Sequence, residues 1–239
     1  SVYGKVQYNN MPQKKTIPAH VGIILDGNRR WAKQRGLDSQ EGHKQGFEAF
    51  KAVADAGLDR GVKCLSVFAF STENWHRAKK EVNFLMHFIK VVIKGYIKEL
   101  HKKNIRFIWL GSEEGLSKSL IKQLRSAEET SKNNTKALFC LCFNYGGQQE
   151  IIESVKAVLA KNQQLSPQLV EANLYGGNVV PPIDLLIRTS GEQRISNYML
   201  WRAAYSELYF SPKLWPDFTP NDLDIAMDDY SKRQRRYGA

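Results

Sequence analysis

Short runs of apolar, β-branched and aromatic residues alternate along the chain with longer segments of helical period. Six of these runs read HVGIIL, CLSVFAF, IRFIWLG, ALFCLCF, IDLLI and ELYF, in that order. Such an alternation is typical of βαβ units, whose strands form a parallel sheet and whose helices cover its faces. The length of 239 residues suits one large domain of this kind. We therefore predict an α/β fold, a single domain with a central, mostly parallel sheet flanked by helices.

The longest helical segment, EVNFLMHFIKVVIKGYIKEL at residues 81–100, carries two apolar rows. The broader row comprises Val82, Leu85, Met86, Ile89, Val92, Ile93, Tyr96 and Ile97, and the second comprises Phe84, Phe88 and Val91. A helix packed between a sheet and a neighbouring helix would bury both rows, whereas a helix beside an apolar ligand would line its pocket. Both interpretations stay open. Lys90, Lys94 and Lys98 argue against insertion of this helix into a membrane.

Composition indicates where the folded domain begins and in which kind of compartment it occurs. Residues 1–18 are polar and contain two prolines, which predicts a mobile N-terminal arm ahead of a folded domain at residues 19–239. No run of about 18 apolar residues occurs, so we predict no transmembrane segment. Three cysteines fall in apolar runs without C-x-x-C spacing, which favours core thiols in a reducing compartment. These are Cys64, Cys140 and Cys142.

The first apolar run ends on a carboxylate that two cations follow, in HVGIILDGNRRWAK. Gly27 tolerates close approach of a ligand, and if Asn28 caps the next helix, the free N–H groups there bind an anion. Arg29 and Arg30 add guanidinium contacts to a phosphate, which Asp26 would repel unless a divalent cation lay between them. The pattern predicts a Mg²⁺-diphosphate site. The alternative is that Asp26 only caps the following helix and that both arginines are solvated.

Two further clusters of polar side chains follow later apolar runs. One lies in FAFSTENWHRAKKE and contains Ser71, Asn74 and Arg77, and the other lies in DLLIRTSGEQRISNYMLW and contains Arg188 and Arg194. Ligands of open parallel sheets bind at the carboxyl ends of the strands, so we expect the three clusters to meet there. The formal charge of +11 fits anionic partners. Nucleic acid explains the arginines but not the acids, and no nucleic-acid-binding module accompanies them.

These stretches, in this order, resemble the signature of the cis-prenyltransferases, the undecaprenyl diphosphate synthase-like family. The motifs are D-G-N-R-R-W-A from Asp26, G-H at Gly42-His43, F-S-T-E-N-W from Phe70, N-Y-G-G from Asn144 and I-R-T-S-G-E from Ile187. The resemblance implies a mostly parallel α/β fold, a homodimer and Mg²⁺-assisted condensation of an allylic diphosphate with a second C5 diphosphate. The substrates it implies are dimethylallyl and isopentenyl diphosphate. It also implies a soluble protein of the cytoplasm, or of the plastid after removal of a transit peptide.

The resemblance also assigns roles by position. It implies that Asp26, Asn28, Ser71 and Asn74 act in catalysis, and that Asp26 and Glu207 bind the metal. The residues it implies for the allylic diphosphate are Gly27, Asn28, Arg29, Arg30, His43 and Arg77. Those for the second diphosphate are Arg188, Arg194 and Ser196. A lone histidine such as His43 is more often structural, and only the G-H motif favours a role for it in phosphate binding.

The sequence departs from the family pattern at several positions. Ser39 stands where many members have an arginine that contacts diphosphate, and Gln193 stands where some have a histidine. Phe139 and Phe143, on one side of a strand, are larger than their counterparts in long-chain members. With Phe84 and Phe88 they would line a short prenyl pocket. These features favour a product of about C10 to C15 and resemble the short-chain plant branch, which includes the irregular coupling of two dimethylallyl diphosphates by lavandulyl diphosphate synthases.

Two other functions within the family stay open. One is regular head-to-tail synthesis of a longer cis-polyprenyl diphosphate. The other is a non-catalytic partner subunit of a polyprenyl synthase, because such subunits share the R-x-G ending seen at Arg236-Tyr237-Gly238. Those subunits lose the D-G-N motif that this chain retains.

Overall fold

The computed structural model describes residues 16–233 of the chain. Most of the predicted N-terminal arm lies outside the described residues, so the arm remains a prediction. The R-x-G ending also lies outside them. The strands are β1 His20–Ile24, β2 Cys64–Ser71, β3 Ile105–Leu110, β4 Ala137–Tyr145, β5 Leu185–Arg188 and β6 Glu207–Phe210. The α-helices are α1 Asn28–Gln34, α2 Ser39–Asp59, α3 Lys79–Lys102, α4 Lys118–Ser131, α5 Gly147–Ala160, α6 Pro167–Asn173 and α7 Pro220–Lys232. Short 3₁₀ turns span Thr72–His76, Gly177–Val179 and Trp215–Asp217.

All six predicted strands form, and they build one sheet in the order β3-β4-β2-β1-β5-β6. Each of the five neighbouring pairs is parallel, which confirms the predicted α/β fold. The strand order reverses at β1. The chain continues from β1 to β2 on one side of it, and β5 later pairs with its other side. Loops after β1, β2 and β5 therefore meet over the centre of the same sheet edge.

Side chains of β4 alternate between two apolar cores, as the period of a strand requires. Phe139, Leu141 and Phe143 join the core beneath α2 and α3, while Cys140 and Cys142 join the core on the opposite face. All three cysteines are buried free thiols, as predicted. The two cores hold the sheet rigid between helical layers, which fixes the positions of the loops at its edge.

Helix α3 places its broader apolar row against the sheet. Val82, Leu85, Ile89, Ile93 and Tyr96 are buried, whereas Val91 of the second row is 57% exposed. The structure therefore supports burial of one face rather than two. In the part of the chain that the structure describes, no helix combines the length and apolarity needed to cross a bilayer.

A buried histidine ties β1 to its neighbours on the face opposite α3. His20 Nδ1 lies 2.8 Å from the carbonyl oxygen of Pro181, which only accepts, so Nδ1 carries the proton. Nε2 then accepts from the Ser66 hydroxyl at 2.8 Å, and that hydroxyl accepts from Tyr198 at 2.7 Å. Burial lowers the pKa of His20 to about 4, against the opposing effect of the Pro181 and Pro182 carbonyls. The network holds a neutral imidazole.

Candidate active site

A cavity of about 620 Å³ opens at the carboxyl edge of the sheet and runs down between α2, α3 and the strands. Its volume lies within the usual range for a small-molecule site, about 300–1,000 Å³. The predicted site residues that line it are Asp26, Asn28, His43, Ser71, Asn74, Arg77, Phe88, Phe139, Phe143, Arg188 and Ser196. Residues from all three sequence clusters thus meet in one space, polar at the sheet edge and apolar below. The other predicted residues lie beside the cavity or away from it.

Asp26 and Arg188 join the first and third clusters. Ile24 and Arg188 are register partners on β1 and β5, so the acid two residues beyond β1 stands above the end of β5. Arg188 is 5% exposed and donates to Asp26 Oδ2 at 2.9 Å. Its other terminal nitrogen donates to the Ser196 hydroxyl at 2.7 Å and to the carbonyl of Arg194 at 2.6 Å. Arg188 therefore shapes the following loop as well as holding the acid.

The carboxylate of Asp26 is kept ionised by its neighbours. Partial burial would raise its pKa, but hydrogen bonds from Arg188 and Ser190 and the charges of Arg188 and Arg30 outweigh burial and lower the pKa below its usual value. An ionised carboxylate at the cavity mouth suits Mg²⁺, which proteins usually bind through one or two carboxylates together with substrate phosphates. No group of three or more metal-ligating side chains occurs within residues 16–233. The donor set therefore fits a metal shared with a substrate.

Arg30 lies between the two predicted diphosphate sites. It is 3.3 Å from Asp26 Oδ1 and donates to the hydroxyl of Ser190 and, at 3.3 Å, to Glu192. Arg194 donates to the same Glu192 at 2.6 Å, with most of its own side chain exposed. The sequence placed Arg30 only in the allylic site. The structure gives it contacts with the loop that carries the second site, so it can serve both.

Three predicted phosphate ligands surround one carboxylate, Glu81, which the sequence analysis did not single out. Glu81 lies 3.0 Å from Arg77, 3.4 Å from Arg29 and 3.7 Å from His43 Nε2. The last distance is too long for a hydrogen bond. Burial lowers the pKa of His43 to about 4 although Glu81 opposes this, so the imidazole is neutral. Glu81 occupies the position of an anion beside Arg29, Arg77 and the neutral His43. The i,i+4 spacing of Arg77 and Glu81 was the sequence signal that could have indicated this role.

The second cluster forms a tight 3₁₀ turn at the end of β2. The Ser71 backbone donates to the Asn74 side chain at 3.2 Å, and the two residues cap each other's backbone. Trp75 donates through Nε1 to Asn144 at 2.7 Å, and its ring meets Phe70 edge-on at 5.3 Å. Asn144, in the N-Y-G-G motif, thereby holds the turn that presents Ser71 and Asn74 to the cavity. Trp75 acts in packing, and the cavity wall does not include it.

Gly27 and Asn28 are held by close backbone packing. Gly27 has φ +114°, and a Cβ there would lie 3.0 Å from the Cα of Leu214. The residue at the N-cap of α1 is Gly27, and Asn28 is the first residue of the helix, so the condition that Asn28 caps α1 is not met. A Cβ on Gly46 would lie 2.3 Å from Asn28 Oδ1, which explains the close approach of α2. The Asn28 side chain lines the cavity instead.

Aromatic rings line the apolar part of the cavity. Phe50 and Tyr96 have ring centroids 5.6 Å apart, and the ring of Phe139 lies 5.2 Å from Phe50 and 6.0 Å from Tyr96. Phe143 lies nearer the mouth, 5.3 Å from Phe70. Of the predicted prenyl pocket, Phe88, Phe139 and Phe143 line the cavity. Phe84 does not, because it stacks on Phe88 at 5.4 Å and packs beside His43 at 6.2 Å.

Glu207 lies at the wrong end of the sheet for the predicted metal pair with Asp26. Its register partner is Leu185, which pairs with Val21. Asp26 is five residues beyond Val21, so the two carboxylates are separated by about 16 Å along the strand direction alone. Glu207 is paired with Arg233 at 2.9 Å. Within one chain, Asp26 and Glu207 cannot hold the same ion, and that prediction needs correction.

Two of the departures from the family pattern, Ser39 and Gln193, lie outside the cavity wall. Ser39 is the first residue of α2, and Gln193 is exposed in the loop after β5. Trp31 likewise faces away from the cavity, donating to Asp217 at 2.7 Å with Arg35 stacked 4.2 Å from its ring. Arg35 therefore packs on Trp31. It does not take the place of the diphosphate-binding arginine that many members have at the position of Ser39.

Comparison with known proteins agrees with this arrangement. Residues 24–238 match the family model described as "Putative undecaprenyl diphosphate synthase". An isoprenyl transferase of Thermotoga maritima is 44% identical over 93% of this chain and 97% of its own. A trans,polycis-polyprenyl diphosphate synthase of Thermobifida fusca, specific for (2Z,6E)-farnesyl diphosphate, is 47% identical over 94% of this chain and 82% of its own.

Solved structures give the same result. Lavandulyl diphosphate synthase from Lavandula x intermedia, in complex with dimethylallyl diphosphate, aligns with a TM-score of 0.89 and 37% identity over 93% of this chain and 99% of its own. A probable undecaprenyl diphosphate synthase from Campylobacter jejuni aligns with a TM-score of 0.80 and 27% identity over 94% and 100%. The sequence relatives named above are bacterial, so they do not support the plant branch. The chain belongs to the cis-prenyltransferases, the undecaprenyl diphosphate synthase-like family, and is a prenyltransferase.

Proposed function

We propose that this enzyme is a short-chain synthase that condenses dimethylallyl diphosphate with isopentenyl diphosphate, with the help of Mg²⁺, to a cis-prenyl diphosphate of about C10 to C15. The observation that carries the proposal is the cavity itself, in which an acid and several cations at the mouth lead to an apolar tunnel lined by aromatic rings. Phosphates belong at the mouth and hydrocarbon belongs below.

The allylic diphosphate is assigned to the mouth beside α1 and α3. Arg29, Arg77 and neutral His43 already surround the carboxylate of Glu81, and a diphosphate would compete for the same cations. A second diphosphate is assigned to Arg188, Arg194 and Ser196, with Arg30 between the two sites. Asp26 stands where a cation shared with a substrate phosphate would bind. When bound there, Mg²⁺ supplies Lewis-acid stabilisation of the charge on the leaving diphosphate.

The reaction breaks the allylic C1–O bond, and its electron pair leaves with the diphosphate. C1 bonds to C4 of isopentenyl diphosphate, a new double bond forms, and the C2 proton is lost to an oxygen of the released diphosphate. Guanidinium groups of Arg30 and Arg77 stabilise the charge that develops on the leaving group. Ser71 and Asn74, fixed by their mutual capping, position the reacting ends at the cavity wall.

The depth of the tunnel supports the product length. Ile24, Phe68 and Cys142 lie at one level of the sheet, Asp26 is two residues above it, and Phe139 is three residues below it. Five strand residues span about 16 Å. A C5 unit adds four bonds to the chain and extends it by roughly 4–5 Å, by comparison with about 3.5 Å for the three bonds of a peptide unit. About three units fit between Asp26 and the ring of Phe139.

A second candidate is the irregular coupling of two dimethylallyl diphosphates. The solved lavandulyl diphosphate synthase that aligns with this chain holds dimethylallyl diphosphate, and Ser39 replaces a cation that would otherwise contact diphosphate. A weaker or shifted grip on diphosphate would let the enzyme accept dimethylallyl diphosphate in both sites, since a hydroxyl donates only one uncharged hydrogen bond. A longer product is the third candidate, because decaprenyl diphosphate synthase of Mycobacterium tuberculosis is 42% identical over 93% of this chain and 77% of its own.

Mass spectrometry of the products distinguishes the three. The enzyme is incubated with dimethylallyl diphosphate alone and with dimethylallyl plus isopentenyl diphosphate, each with Mg²⁺ and with a chelator. We expect C10 and C15 diphosphates only when both substrates and Mg²⁺ are present. A C10 product from dimethylallyl diphosphate alone would favour irregular coupling. Turnover in the chelator would contradict the metal assignment. Light scattering of the same preparation tests the homodimer that the resemblance implies.

A further inference from the structure

The outer surface of α3 and α4 carries a group of lysines that the reaction does not use. Seven of them are exposed and form no ion pair with any residue in the range 16–233. We call this group the α3–α4 lysine surface. It consists of Lys79, Lys80, Lys94, Lys98, Lys102, Lys118 and Lys122.

Helix geometry gathers these lysines on one side. Lys94, Lys98 and Lys102 recur every fourth residue and therefore lie in one row. From Lys79 to Lys102 the helix is about 34 Å long. On its inner side α3 lines the tunnel, so the lysines face away from the chemistry.

Two hydrogen bonds hold α4 against this row. Lys90 donates to the Ser119 hydroxyl at 3.0 Å, and Gln123 donates to the carbonyl of Lys90 at 2.6 Å. Lys118 and Lys122 are chain neighbours of those two α4 residues, so they extend the lysine surface sideways.

The acids near this surface do not neutralise it. Glu81 is paired with Arg77, and Glu113 and Glu128 are paired with Arg125. Glu129 is paired with Lys132. Glu99 and Glu114 are exposed and are the remaining carboxylates on or beside it within the described chain. Seven cations against two acids leave a strongly positive face.

We propose that the α3–α4 lysine surface binds this enzyme peripherally to bilayers that contain anionic lipid. Clusters of four to eight basic residues on an amphipathic helix are typical of such binding, with about 1 kcal/mol from each lysine near the surface. The negative charge of an anionic bilayer is spread over its surface. It can therefore contact lysines along the whole of α3, about 34 Å from Lys79 to Lys102. The occupant we assign is the lipid headgroup layer.

Two features favour a lipid surface over nucleic acid. The group consists of lysines alone, whereas planar bidentate recognition of phosphates and bases relies on arginine. Val91 is 57% exposed on the same face of α3, three residues before Lys94, and it offers an apolar contact that a headgroup layer accommodates. No exposed Phe, Tyr or Trp ring for base stacking lies on the described surface of α3 or α4. The proposal depends on charge and exposure and is independent of product length.

Co-sedimentation with vesicles tests the proposal. The whole protein is titrated with phosphatidylcholine vesicles that contain about 30% phosphatidylglycerol, and with phosphatidylcholine alone, at about 0.1 M salt. The variant combines Lys94→Gln, Lys98→Gln and Lys102→Gln. The matched control combines Lys63→Gln, Lys156→Gln and Lys161→Gln, which are exposed, lie away from α3 and α4, and remove the same charge.

We expect binding only to the anionic vesicles, a loss of affinity of about fivefold per lysine and about a hundredfold for the α3 triple variant, and less than about threefold for the control. Raising the salt should also release the wild-type protein, a result that needs no variant. Equal weakening by both triple variants, or equal binding to both vesicle types, would overturn the proposal. Tighter binding to duplex DNA than to anionic vesicles, lost in the α3 triple variant, would also overturn it. Turnover of C5 substrates without vesicles should be unchanged and confirms that the variants fold.

Discussion

Arg188 Nη2 donates to Asp26 Oδ2 at 2.9 Å, across 162 residues of sequence. This contact joins the acid after β1 to the cation at the end of β5, and it exists because the two strands are neighbours in register. Arg188 also holds Ser196 and the carbonyl of Arg194, so one guanidinium connects the proposed metal-binding acid with the proposed second diphosphate site. The centre of the enzyme is this pair rather than any one motif.

Asp26→Asn should lower kcat by at least about a hundredfold while the unfolding midpoint changes little. The amide keeps the shape and accepts from Arg188, but it removes the negative charge that links a cation to the diphosphate. Steady-state kinetics and thermal unfolding on the same preparation provide the check. A variant that turns over at the wild-type rate would remove Asp26 from the metal-binding role.

Arg194→Ala should raise the KM for isopentenyl diphosphate by about ten- to a hundredfold and leave that for the allylic substrate nearly unchanged, because one charge-assisted hydrogen bond contributes about 1.5–3 kcal/mol. Arg77→Ala is the matched variant and should show the opposite preference. Similar KM changes for both substrates in either variant would mean that the two sites are misassigned.

Phe139→Ala should lengthen the product by one or more C5 units, because the ring is part of the tunnel wall about 16 Å below Asp26 and its loss makes room for more hydrocarbon. It should also reduce the free energy of unfolding by about 3–5 kcal/mol, since a buried ring is lost from the core. Phe143→Ala should lengthen it less, as that ring lies nearer the mouth. Phe84→Ala is the control, with an unchanged product distribution, and an equal effect of all three variants would place the length limit elsewhere.

Stability should fall on mild acidification because of His20. Its folded pKa of about 4 lies below the ordinary 6.5, so above pH 6.5 both states are neutral and the histidine makes no contribution to pH dependence. Between 6.5 and 4 the unfolded chain binds a proton that the folded chain excludes, and stability falls by up to about 1.4 kcal/mol per pH unit. His43, also lowered to about 4, adds a similar slope.

Urea unfolding at several pH values measures this slope. His20→Gln should be less stable at pH 7, where it loses the buried network, but its stability should fall less steeply as pH falls. His43→Gln should show a reduced slope as well. If the slope of each variant equalled that of the wild type, neither histidine would be the acid-sensitive group.

Sequence predicted the sheet because its signals are local. All six strands and the buried face of α3 follow from residue type and period, and convergence of the loops after β1, β2 and β5 follows from parallel pairing. The position of Glu207 does not follow, because a residue at the start of a strand and one at its end look alike in sequence. Only the register shows that Glu207 lies level with Val21 and far below Asp26.

Other parts of the site depend on side-chain packing that no period encodes. Phe84 was expected in the tunnel with Phe88, yet it turns toward His43. Glu81 reads as an ordinary helix acid. Its role emerges only when α1, α2 and the segment before α3 bring Arg29, His43 and Arg77 around it. The hydrogen bond between Asn144 and Trp75 likewise can be seen only in the folded chain.

The end-point chain length in excess isopentenyl diphosphate shows whether the tunnel limits the product. Dimethylallyl diphosphate is incubated with Mg²⁺ and a large excess of isopentenyl diphosphate until no further change occurs, and the products are resolved by mass spectrometry. We expect elongation to stop at C15, because the rings of Phe50, Tyr96 and Phe139 line the tunnel at the depth that the third C5 unit reaches. One inorganic diphosphate should be released for each bond formed. A ladder of products extending well beyond C20, or no condensation at all, would contradict the account.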